Sequence, residues 1–194
     1  SLLTGMNAVR NGVLDNLHAI RADHAEIGIH TWPEILSRSG YYTAAIGKMH
    51  FYPWDTSHEF QYRVTAEDKR WLEVRDDYYH YLNENGHRKY HVNEHQGYSE
   101  NKGAVINLLP WEHTVDRFVG REAVRFINNY GNDGPFAMMV GFPGPHCPYD
   151  PPGDFPYSCD PEDMPAAIPE VTQDTPNLRQ ENIDHNKLPW NGVD

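Results

Sequence analysis

A chain of 194 residues with 39% hydrophobic residues and a mean hydropathy of −0.74 can bury one sizeable core, with long polar excursions around it. Its formal charge of −12, from 28 acidic against 16 basic residues, excludes general attraction to nucleic-acid phosphates or to an anionic membrane, so an anion must be held by a local site. The longest clearly apolar run, Phe136 to Phe142, is far too short to cross a bilayer, and Cys147 and Cys159 make neither a disulfide-dense scaffold nor a four-ligand zinc site.

The chain opens on Ser1-Leu2-Leu3-Thr4-Gly5-Met6, with no initiator Met, no charged n-region and no apolar h-region, and it reads as a chain entered part-way. Thr31-Trp32-Pro33-Glu34 has the form of a capping box with Pro near the first turn, and Gly40 closes the short helix it predicts. Tyr41 to Ile46 then suits a buried strand, which places Gly47-Lys48-Met49-His50 at its C-terminal edge. Residues 52 to 112 are rich in charges, aromatics and histidines with patchy periodicity, and are expected to form an insertion with one or two short helices. Within it His87, His91 and His95 are spaced by four, but the surrounding sequence is poor helix, so a polar surface loop is expected and no metal ligand is assigned.

Val115, Phe118, Val119, Ala123, Phe126, Ile127 and Tyr130 recur at three- and four-residue steps, from a Thr114 cap to a Gly131 stop, which predicts a helix. A turn leads into the strand-length apolar run Phe136 to Phe142 and then into Pro143-Gly144-Pro145-His146. Beyond residue 142 stand 11 of the 15 prolines, so residues 143 to 194 are expected to be extended loop. The order helix, strand, polar loop thus occurs twice. Such alternation argues for a parallel α/β sheet with ligands bound beyond the carboxyl ends of its strands, both polar loops opening onto one crevice.

Three stretches, in order, carry a family likeness. Ser1-Leu2-Leu3-Thr4-Gly5 resembles the trailing half of the sulfatase signature, in which a Cys-x-Pro-Ser-Arg run precedes Leu-Thr-Gly. Thr43 to His50 resembles the family's strand with Gly-Lys-x-His, and Gly141 to Pro148 its later strand ending in Pro-His-x-Pro. The resemblance implies an alkaline-phosphatase-like α/β parallel-sheet sandwich, here an incomplete N-terminal catalytic domain over residues 1–194. It also implies a sulfate-ester hydrolase whose nucleophile is formylglycine, made from a Cys upstream of Ser1 by a formylglycine-generating or maturase enzyme. A divalent cation, calcium by resemblance, would be held by residues outside this segment, and the segment alone would be inactive.

By the same resemblance Lys48 would bind the nucleophile and an ester oxygen. His50 would hold or deprotonate the formylglycine hydrate, and His146 would contact the ester and assist departure of the alcohol. The chemistry fits these residue types, because a fixed ammonium stabilises an anionic transition state and imidazoles move protons near neutral pH. The substrate would be a small-molecule or sugar sulfate ester. A phosphonate or phosphate monoester hydrolase of the same superfamily is the alternative, and a non-catalytic binding protein on this scaffold the rival from another class. One departure stands out: His58-Glu59-Phe60 replaces the family's frequent His-Gly-Phe, so the loop is expected to differ there.

Overall fold

The structure, a computed structural model, describes residues 1–166 except Asn132 and Asp154. Two compact units form: one from Ser1–Lys89 with Val115–Pro143, the other from Tyr90–Thr114 with the described residues from Gly144 onward. The first contains, in chain order, α1 (Ala8–Asn11), α2 (Trp32–Arg38), β1 (Tyr42–Gly47), β2 (Tyr62–Thr65), α3 (Asp77–Glu84), α4 (Val115–Asn129) and β3 (Phe136–Gly141).

Its sheet runs β2-β1-β3, with both pairings parallel. β1 is the centre, and Thr43, Ala44, Ala45 and Ile46 are each at most 1% exposed. Small and β-branched residues suit this strand because both of its faces are covered. Successive side chains alternate between faces, so Tyr42 stacks on Phe126 of α4 while Ala45 packs with Met49, Phe60, Trp32 and Leu3. The three-residue and four-residue steps of α4 bury Val115, Phe118, Val119, Ala123 and Phe126, as the sequence predicts, whereas Ile127 is half exposed. Along β3, paired with β1 alone among the described residues, Phe136 is exposed and the other five residues are half-buried.

α2 starts as expected: Thr31 Oγ1 accepts the Glu34 amide at 3.3 Å. The span read as an insertion supplies the third strand of the sheet, β2, beside α3. Asp76 caps α3 by accepting the Tyr79 amide, while Asp77 accepts both the amide and the hydroxyl of Thr65. The acidic pair visible in the sequence therefore has two separate structural tasks.

In the second unit Cys147 is buried, 2.8 Å from the Tyr98 hydroxyl and packed with Val105, which agrees with a packing role; Cys159 is exposed. His91 caps a 3₁₀ turn at Val92–Glu94 and α3 ends at Glu84, so His87, His91 and His95 share no helical face. Two further 3₁₀ turns, Phe155–Tyr157 and Pro161–Asp163, interrupt the proline-rich segment, and residues 167–194 of that expected loop lie outside the described residues. Among the described residues no helix is long and apolar enough to cross a membrane.

Candidate active site at the carboxyl end of the sheet

β1 and β3 end level with each other, Gly47 opposite Gly141. The backbones approach so closely there that a Cβ on Gly47 would meet the Gly141 carbonyl and one on Gly141 would meet the Lys48 carbonyl. Gly47 also takes φ 96, a conformation side chains disfavour. Glycine at both strand ends lets Lys48 cross directly over β3, its amide donating to the Gly141 carbonyl at 2.8 Å.

The Lys48 side chain is half-buried, and its ammonium makes no hydrogen bond or ion pair among the described residues. Burial holds its pKa below the ordinary lysine value; Asp68 opposes this, Arg70 adds to it, Glu67 opposes it and Lys69 adds to it. Two residues on, His50 is exposed with φ 55, in the left-handed region that histidine tolerates better than most residues.

What holds this turn is Glu67, 5% exposed, two residues beyond β2. Its carboxylate accepts the amide of Met49 at 3.1 and 3.2 Å, the amide of His50 at 2.9 Å and the guanidinium of Arg63 at 2.9 Å. Burial pushes its pKa up, opposed by the His50 amide, Arg63, the Met49 amide and Lys48. The Glu67 amide in turn donates to Asp76 at 2.8 Å, and Asp76 is paired with Lys89 at 2.8 Å, both side chains fully buried. Sequence reasoning missed Glu67 because β2 was not recognised; an acidic residue just past a strand was its only local signal.

The leading segment lies at the same end. Leu3 packs against the cluster of Ala45, Met49 and Phe60, and its carbonyl accepts the Trp32 amide at 2.8 Å. Ser1, Thr4, Asn11, Met49, His50 and His58 are among the residues around a cavity of about 180 Å³. Two of the three motif stretches thus meet around His50. His146, in the second unit, is half-buried, and its Nδ1 lies 2.9 Å from the Cys147 carbonyl, to which a protonated Nδ1 donates.

The His-Glu-Phe departure has a structural explanation. Glu59 takes φ 63, where glycine is at no disadvantage, and its carboxylate accepts the Thr31 hydroxyl at 2.9 Å and stands 3.4 Å from His24 Nε2. The side chain compensates for a conformation it does not favour. Glu59→Ala loses those contacts and keeps the strain, whereas Glu59→Gly loses only the contacts, so in urea unfolding the alanine variant is expected to be the less stable by about 1 kcal/mol.

The sulfatase family model matches residues 1–173. This chain belongs to the sulfatase family. It is 25% identical over 189 residues to an arylsulfatase of Clostridium perfringens (strain 13 / Type A), an alignment covering 87% of this chain and 37% of that protein. The crystal structure of a phosphonate monoester hydrolase of Agrobacterium radiobacter superimposes with a TM-score of 0.62 at 20% identity, over 85% of this chain and 34% of that one. The fold is alkaline-phosphatase-like α/β. This sulfatase chain spans a little over a third of the length of these relatives.

Proposed function

We propose that the protein carrying this chain hydrolyses a sulfate ester of a small molecule or sugar, using a formylglycine nucleophile installed by a formylglycine-generating or maturase enzyme, and a bound calcium ion. The observation that carries this reading is the Lys48 ammonium, held half-buried at the end of β1 without a hydrogen-bonding or ion-pairing partner among the described residues, in a chain of the sulfatase family. Among the described residues no cluster of three or more His, Cys, Asp or Glu could hold a metal ion. By the family resemblance the cation's ligands belong to segments outside this chain, and the chemistry proposed for this chain rests on Lys48, His50 and His146.

Lys48 donates to an anionic oxygen of the ester and stabilises charge as the bond to the leaving oxygen breaks. His50 accepts a proton from the attacking hydroxyl. His146 delivers a proton from an imidazolium to the departing oxygen, so a neutral alcohol leaves. The likeness in fold to a phosphonate monoester hydrolase supports a second reading. Sulfate and phosphonate monoesters each carry one negative charge, so Lys48 does not by its charge separate them, whereas a phosphate monoester approaches two at neutral pH, its second pKa being about 6.

The test is a panel of nitrophenyl esters with the full-length, matured protein. The sulfate is expected to give the highest kcat/KM, followed by the phosphonate and then the phosphate. A phosphonate preference of tenfold or more would replace the sulfatase reading with the second one, and no turnover of any ester would favour a binding protein.

A further inference from the structure

We propose that Glu67 is a positioning residue for catalysis, fixing the Lys48-Met49-His50 turn from β2 and taking its own placement from the buried Asp76–Lys89 pair. The inference rests on the assignment of Lys48 and His50 to the site. It starts from a cost: a carboxylate 5% exposed loses most of its hydration and persists only if hydrogen-bond donors replace it. Three groups do so, the amides of Met49 and His50 and the Arg63 guanidinium, and two of them are the backbone of the turn that carries the site's cation and its imidazole.

The geometry goes further than satisfying buried groups. His50 sits at φ 55 with its amide 2.9 Å from Glu67, so the carboxylate holds a residue in a conformation of limited population. The parallel register pairs Gly47 with Thr65, so the chain leaving β2 is delivered directly to the chain leaving β1. Beneath it the Asp76 carboxylate accepts the Glu67 amide, receives Lys89 Nζ and caps α3 through Tyr79. One chain of contacts therefore runs from a fully buried ion pair, through the backbone and side chain of Glu67, to Met49 and His50. The negative charge of Glu67 also favours the protonated form of Lys48, against the effect of burial.

Glu67→Ala and Glu67→Gln in the full-length protein test this by three readouts: kcat and KM on the substrate that wild type turns over, hydrogen exchange of a peptide spanning 47–51, and melting temperature. Glutamine keeps one acceptor oxygen and removes the charge; alanine removes both. For Glu67→Ala, kcat is expected to fall on the order of a hundredfold, as misplacement of reacting groups by about an ångström does, with KM changed only a few-fold. Exchange in 47–51 should quicken while α4 stays protected, and Glu67→Gln should recover part of both effects. Unchanged kcat and unchanged exchange overturn the proposal. Equal loss of protection in 47–51 and α4, with a lower melting temperature and no recovery by glutamine, also overturns it, since that marks a general structural role. Should wild type turn over none of the esters, the functional reading fails while the exchange comparison still decides whether Glu67 holds the turn.

Discussion

Lys48→Ala in the full-length protein is expected to lower kcat on an aryl sulfate by on the order of a hundredfold or more, the usual effect of removing a preorganised charge from a transition state. The melting temperature should hold or rise slightly at neutral pH. The sign follows from the direction of the pKa: burial lowers that of Lys48 in the folded protein, so its charged form is held less favourably there than in the unfolded chain. The cost is present in full below the folded pKa and fades as pH rises from that value towards the unfolded one. Alanine removes the cost, and it keeps the amide bond to Gly141 that fixes the backbone. A cation whose charged form burial disfavours, and whose ammonium makes no hydrogen bond or ion pair among the described residues, fits the pattern expected of a group retained for chemistry. Loss of kcat together with a lower melting temperature would instead mark Lys48 as a structural residue.

Lys89→Ala acts in the opposite way, on stability first. Its ammonium is fully buried, paired with Asp76 at 2.8 Å and donating to the Val74 carbonyl at 2.8 Å. Truncation leaves the Asp76 carboxylate, itself fully buried, without its counter-charge, which costs about 3–5 kcal/mol when one partner of a buried pair is removed. The urea midpoint of Lys89→Ala should fall accordingly. Asp76→Asn on that background removes the stranded charge and keeps one side-chain oxygen, which can accept the Glu67 amide or the Tyr79 amide but not both, so the double variant should regain part of the loss. A double variant no more stable than Lys89→Ala would mean that packing around the lysine stem, and not the charge, accounts for the effect.

Two elements that position the site are legible in the sequence for simple physical reasons. β1 reads as a buried strand because Thr43, Ala44, Ala45 and Ile46 are small or β-branched and contact protein on both faces. α4 reads as a helix because one stripe of it meets the sheet, and a stripe on a helix must recur every three or four residues. Lys48 and His50 follow from the first of these, since a Gly-Lys-x-His run after a buried strand lies where parallel α/β sheets place ligands. His146 was found through the resemblance, its structural surroundings being those of the second unit.

β2 was hidden because all four of its residues are half-buried and show no alternation between a wet and a dry face. Its strand character comes from pairing with β1, across 18 residues of sequence from Ala44 to Tyr62. Glu67 was hidden with it, and so were the separate tasks of Asp76 and Asp77. By itself the sequence determined that the segments forming α2, β1, α4 and β3 are helix and strand and which residue types stand at their ends, because periodicity and composition record how a segment meets its surroundings. Only the tertiary structure decided which strands are neighbours and which carboxylate meets which amide, because parallel register brings together residues whose separation along the chain carries no periodic signal.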